Sequence, residues 1–219
     1  TADGIAGIQA VAVQLPGRGT RLLEEPYRRI EPLTRALADA LAPLVMEPYA
    51  LFGHSMGALI GFELARELRR RGLPAPRRLY VSARRAPHLP PTKRGIHLLS
   101  DSAFLDELRE LGGTPPDFFA EPELVQLALP ALRADFELCD AYTYRPEAPL
   151  ACPITALGGT QDAGVPADVL RAWREHTADE FQVHLFPGGH FYLFDADSTP
   201  AALISRDLAD GPEAVALPD

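Results

Sequence analysis

The run Gly53-His54-Ser55-Met56-Gly57 lies between a short apolar stretch, Tyr49 to Phe52, and a longer one, Met56 to Arg71, in which apolar residues return every three or four positions. No other feature of the chain constrains its fold as much. A G-x-S-x-G sequence between a strand and a helix calls for a sharp turn that holds the serine on a strained backbone and projects its hydroxyl at the helix N-terminus. Both flanking glycines are expected to be required, because a Cβ at either would collide with adjacent backbone. Ser55 is therefore the candidate nucleophile. The free N–H of Met56, at the positive end of the helix, is a candidate donor to a carbonyl oxygen that gains charge under attack.

The rest of the chain supports such a turn. Runs rich in β-branched and aromatic residues at Ile8 to Val13, Tyr49 to Phe52, Leu79 to Ser82, Ile154 to Leu157 and Phe181 to Phe186 predict strands. Helical periodicity at Pro32 to Val45, Met56 to Arg71, Pro166 to His176 and Pro200 to Leu208 alternates with them, which predicts an α/β fold with a mostly parallel sheet flanked by helices. One connection is too long. About seventy residues separate Ser82 from Ile154, where a crossover needs about a dozen. Two amphipathic segments, Asp101 to Leu111 and Glu121 to Tyr142, fall inside it and predict a helical lid at about 87–145 over the C-terminal edge of the sheet. With 219 residues and no internal repeat, the chain reads as one domain, 1–219, carrying that insertion.

Composition removes several functions. A net charge of −9 argues against binding to phosphate backbones over a broad face. No apolar stretch is long enough to span a bilayer, and the N-terminus lacks the order of a signal peptide, so a cytoplasmic location is expected. Cys139 and Cys152 lie in no metal-ligand spacing and are expected to be buried thiols; no metal and no cofactor is expected.

A serine needs a base to act at neutral pH. His190, in Phe186-Pro187-Gly188-Gly189-His190-Phe191, follows the last predicted strand and can swing toward Ser55. His54 adjoins the serine and is expected to point away. His88, His97, His176 and His184 are expected to be solvated or packed. Asp162 directly follows the penultimate strand and is the candidate that orients the imidazole; its lesser, rival reading is a turn residue capping the helix near Pro166. Asp195 and Asp197 come after His190 and are weaker candidates. The chain order Ser, Asp, His is that of α/β-hydrolases.

Taken together, Gln14-Leu15-Pro16-Gly17-Arg18-Gly19, Tyr49 to Leu59, Arg84-Arg85-Ala86-Pro87, Leu132-Arg133-Ala134-Asp135-Phe136 and Phe186 to Phe191 resemble the type II thioesterases that accompany polyketide and nonribosomal peptide synthases. The resemblance runs over nearly the whole chain. It implies an α/β-hydrolase fold with Ser55, Asp162 and His190 as a triad. The implied activity is hydrolysis of aberrant or stalled acyl groups from the phosphopantetheine of acyl or peptidyl carrier proteins. Family members begin with a further strand and a Gly-rich turn that supplies a second oxyanion donor. No such segment precedes Ile8, so the natural protein is expected to extend beyond Thr1. A general carboxylesterase or a chain-terminating thioesterase domain would use the same triad; a non-catalytic binding protein of this fold would not need all three groups.

Two regions bear on the substrate. The insertion carries Phe104, Leu108, Phe118 and Phe119, which would either line a chamber for an acyl chain, together with Phe191, or pack the lid. The segment Arg66 to Arg94 holds ten of the 21 Lys and Arg and only one acid, Glu67. Carrier proteins of the resembled systems are acidic, so Arg84, Arg85, Lys93 and Arg94, with Arg69 to Arg71, are candidate docking residues. Arg69 to Arg71 are equally explained as cations at a helix C-terminus.

Overall fold

The computed structural model describes residues 8–194 and 200–209. Four parallel strands form one sheet in the order β1 (Leu51–His54), β2 (Leu79–Ser82), β3 (Ile154–Gly159), β4 (Phe181–Phe186). Their register runs Leu51 opposite Leu79, Leu79 opposite Ile154 and Ile154 opposite Phe181. The helices are α1 (Ile30–Leu41), α2 (Met56–Arg70), α3 (Asp101–Leu111), α4 (Pro116–Ala120), α5 (Pro122–Ala141), α6 (Ala167–Arg171) and α7 (Pro200–Ala209). None is long and apolar enough to cross a membrane.

Alternation along the central strands divides the core into two layers. Leu79 and Val81 point to one face and join Ala58, Phe62 and Ala65 of α2 with the buried Trp173. Tyr80 points to the other and meets Leu157, Tyr192 and the apolar stripe of α7, Leu203, Ile204 and Leu208. β2 and β3 are buried on both faces, as strands at the centre of a parallel sheet must be.

Most predicted elements appear with small shifts. β1 begins two residues later than Tyr49, because its ladder starts where Leu51 meets Leu79 and then continues through Gly53 and His54. Helix α1 begins two residues before Pro32, whose missing N–H costs nothing in a first turn. The predicted helix at Pro166 to His176 is a short α-helix followed by a 3₁₀ turn over Ala172–His176. Cys139 and Cys152 are free thiols, the second buried and the first half-buried.

The strand expected at Ile8 to Val13 is not formed. A strand exists only as one partner of a ladder, and among the described residues β1, an edge strand, bonds to β2 alone. Among the described residues nothing lies beside Ile8 to Val13 to accept its backbone groups, and Val11 and Val13 are exposed. Asp195 and Asp197 lie outside the described residues.

The long connection between β2 and β3 does hold helices, α3 to α5. Phe104 and Leu108 of α3 pack against Val125 and Leu129 of α5 in a core of their own. The far half of α5 returns to the sheet layer, where Leu138 packs with Ile30 and Leu33 of α1 and Leu59 and Ile60 of α2. One exposed edge of that half is tied down by a forked ion pair. Nη1 and Nη2 of Arg18 reach the two carboxylate oxygens of Asp135 at 2.9 and 2.8 Å. The first and fourth resembling segments are thus joined in space.

Candidate active site

The turn between β1 and α2 has the expected strain. Ser55 has φ 52° and ψ −115°, a conformation that costs a non-glycine residue on the order of 1–3 kcal/mol. Two contacts hold it there: the Ser55 N–H donates to the Ser82 carbonyl at 2.8 Å, and the Ala58 N–H to the Ser55 carbonyl at 3.1 Å. A Cβ at Gly53 would overlap the carbonyl of Gly57, so Gly53 is required. Gly57 is not: a Cβ there would meet nothing within 4 Å. The expectation that both glycines are sterically needed is corrected on this point. At position 57 the chain is already helical and its Cα faces open space.

His190 reaches Ser55. Its Nε2 stands 3.0 Å from Ser55 Oγ and its Nδ1 2.7 Å from Asp162 Oδ2. An ionised carboxylate can only accept, so Nδ1 carries the proton, and Nε2 is left to accept from the serine hydroxyl. Close packing puts the base loop where it must be. The end of β3 lies against that loop so tightly that a Cβ at Gly159 would overlap the Gly188 and Gly189 carbonyls, and the Gln161 N–H donates to the Gly188 carbonyl at 2.9 Å.

Asp162 orients the imidazole with one oxygen and holds the following turn with the other, but it does not cap α6, which starts after Pro166 with no side-chain cap. Oδ2 holds His190, while Oδ1 accepts from the N–H groups of Gly164 and Val165 at 3.0 and 3.2 Å. Burial pushes its pKa up, but the hydrogen bond and charge of His190 and the two N–H groups outweigh this and hold the carboxyl below its ordinary range. It remains an anion beside the imidazole.

His54 points away from Ser55. Its Nδ1 lies 2.9 Å from Ser82 Oγ, which in turn lies 2.8 Å from the Tyr192 hydroxyl. Burial first, and then the neighbouring His190, push its pKa down to about 4, so it stays neutral near pH 7. Ser82 and Tyr192 were not singled out from the sequence; each is an ordinary residue of its strand or loop until the fold brings the two together. Met56 begins α2, and its N–H has no hydrogen-bond partner among the described residues. The other histidines are engaged elsewhere: His88 with His176 at 2.7 Å, His97 with Asp140 at 2.7 Å and His184 with Gln182 at 3.0 Å.

The residues expected near the substrate divide. Phe191 stands at the site, its ring centroid 5.1 Å from that of His190 and 5.2 Å from that of His54. It also touches the lid, because a Cβ at Gly113 would overlap its ring. Phe104 and Leu108 are not chamber residues. Both are buried inside the lid's own core, with Phe104 edge-on to Phe136. Phe118 and Phe119 pack against the same core, and the Arg109 guanidinium lies 4.6 Å over the Phe119 ring. A lid of three helices this small must bury side chains such as Phe104 and Leu108 between its own helices to hold together, which leaves those two unavailable to a ligand.

The cations divide as well. Lys93 is paired with Glu107 at 2.8 Å, and Arg69 to Arg71 with Glu147, Glu67 and Asp39. Each of these four is thus already paired with a carboxylate within the fold. Arg84 and Arg85 are half-buried and Arg94 is exposed.

A model of the thioesterase domain family matches residues 5–206 of the chain. The chain is 46% identical over 199 residues to linear gramicidin dehydrogenase LgrE of Brevibacillus parabrevis, covering 90% of this chain and 76% of that one. It is 45% identical over 189 residues to the gramicidin S biosynthesis protein GrsT of Aneurinibacillus migulanus, covering 86% and 74%. Among solved structures, the type II thioesterase BorB from the borrelidin biosynthetic cluster superposes with a TM-score of 0.82 at 45% identity, covering 90% of this chain and 80% of that one.

Proposed function

The chain belongs to the thioesterase domain family, as a thioester hydrolase of the α/β-hydrolase fold, and on that premise we propose that Ser55, His190 and Asp162 remove stalled acyl groups from carrier proteins of a polyketide or nonribosomal peptide synthase. The observation that carries this reading is the unbroken hydrogen-bond chain from Ser55 Oγ through His190 to an ionised Asp162, built on a strained turn.

In the proposed cycle, His190 Nε2 takes the Ser55 proton as Oγ attacks the thioester carbonyl. Asp162 stabilises the imidazolium, and the Met56 N–H donates to the oxyanion. Collapse of the tetrahedral intermediate breaks the C–S bond. The pantetheine thiolate takes the proton from His190 and leaves an acyl ester on Ser55. Water, deprotonated by the same Nε2, attacks that ester; the C–Oγ bond breaks as His190 returns the proton to Ser55 Oγ, and the acid is released. The cycle uses side chains and water; phosphopantetheine enters as part of the substrate. Phe191, between His190 and the lid, would border the acyl group.

The test is hydrolysis of one short acyl group presented on a carrier protein, on coenzyme A and as an oxygen ester, with the Ser55→Ala variant alongside. A Ser55-dependent preference for the carrier-bound thioester is expected. Equal or faster oxygen-ester cleavage would instead make the protein a general esterase.

A further inference from the structure

The cations between Arg66 and Arg94 are mostly neutralised within the fold: Arg66 by Glu63 and Glu147, Arg69 to Arg71 and Lys93 as described, and Arg78 by Glu180. Arg84, Arg85 and Arg94 form no ion pair among the described residues, and all three line one cavity of about 270 Å³, with His88 and Tyr144. Among the described residues no carboxylate lines it. Helix ends do not explain these three arginines, which follow a strand and lie in loop sequence.

Arg85 is the sharpest case. Its Nε and Nη1 are buried and have no hydrogen-bond partner among the described residues. Burial, and then the charge of Arg84, lower its pKa. Among the described residues the Arg84 guanidinium has only the Cys139 sulfur, at 3.7 Å. A guanidinium withdrawn from water without acceptors is costly, and its planar fork of donors matches phosphate oxygens.

The cavity also lies close to the chemistry. Ala83, with φ 48°, turns the chain out of β2 directly into Arg84 and Arg85. One residue earlier, Ser82 is paired with His54 and accepts from the Ser55 N–H. Leu59, one turn into the helix that Ser55 opens, forms part of the cavity wall.

We propose that this cavity binds the phosphate of the substrate's pantetheine arm, with Arg84, Arg85 and Arg94 as its ligands; the assignment rests on the carrier-thioester reading above. Binding energy from the remote phosphate then holds the thioester at Ser55, which raises kcat/KM without any part in bond breaking.

The test compares phosphopantetheine with pantetheine, identical but for the phosphate, both as free ligands in calorimetry and as thioesters of one acyl group in hydrolysis. Wild type, Arg85→Gln and Arg94→Gln are measured side by side. Wild type is expected to favour the phosphorylated form about tenfold in both Kd and kcat/KM, in line with one charge-assisted contact. Each variant should bring the ratio toward one, and inorganic phosphate should compete in wild type. Arg94 is exposed, so its variant decides the matter if Arg85→Gln does not fold. A ratio near one in wild type, or an unchanged ratio in folded variants, overturns the proposal. So does binding of inorganic phosphate without discrimination between the two arms, which would mark a site for a free anion. Equal Ser55-dependent hydrolysis of both thioesters would sink the phosphate site alone. Absence of hydrolysis would sink the parent reading, while calorimetry still decides the cavity.

Discussion

Ser82 Oγ lies 2.8 Å from the Tyr192 hydroxyl in the interior of the protein. Through this contact the end of β2 holds a residue two positions past His190, and the same Oγ meets His54, one position before Ser55. Nucleophile turn and base loop are therefore tied to each other through β2, independently of the hydrogen bond between Ser55 and His190.

Ser82→Ala leaves a buried tyrosine hydroxyl and a half-buried imidazole without their shared partner. It should cost about 2 kcal/mol of stability and lower kcat more than it raises KM, because the base loses its fixed distance from Ser55. Tyr192→Phe removes only one end and should cost less. Urea denaturation and steady-state kinetics on both variants check this; equal effects, or an effect on KM alone, would refute the tie.

The two glycines of the turn should behave oppositely. Gly53→Ala forces a Cβ into the Gly57 carbonyl and should abolish either folding or turnover. Gly57→Ala places a methyl in open space on a helix and should raise stability by up to about 1 kcal/mol, as thermal unfolding would register.

Arg66 is buried between Glu63, at 2.7 Å, and Glu147, at 2.7 Å, and the Tyr142 hydroxyl also donates to Glu63 at 2.7 Å. Arg66→Leu strands the Glu63 carboxylate in the interior and should destabilise by about 3 kcal/mol. The double variant Arg66→Leu/Glu63→Leu should recover much of that loss. A chemical-denaturation cycle measures both values.

The forked pair of Arg18 and Asp135 is partly exposed and should be worth about 1 kcal/mol or less. Arg18→Lys should not restore it, since an ammonium cannot span both oxygens. The urea midpoint, with an unchanged slope, is the measurement.

Stability should also fall in a defined acid window. His176, pushed down to about 4 by burial and then by His88 and Arg66, and His54, at about 4, both titrate below the ordinary value of 6.5. The unfolded chain binds their protons first as pH falls, so stability is fully present above about 6.5 and is lost as pH drops toward 4. His176→Phe should flatten part of that slope in pH-dependent unfolding.

The sequence by itself determined the local grammar. Strand and helix periods at Leu79 to Ser82, Phe181 to Phe186 and Asp101 to Leu111 depend on neighbours a few residues away, and these elements appear with the predicted bounds. Ser55, Asp162 and His190 were legible for the same reason: each stands at a recognisable strand end. Tertiary structure decided everything that depends on partners distant in the chain. Ile8 to Val13 has strand composition but no ladder beside it. Phe104 looks equally suited to lining a chamber or filling a core until α5 closes over it. The arginines are indistinguishable in sequence. Only the fold brings Glu147, Glu67 and Asp39 to some of them and leaves Arg84, Arg85 and Arg94 around a cavity that no carboxylate among the described residues lines. Backbone preference is a short-range property; pairing, burial and neutralisation are satisfied only by groups that chain closure brings together.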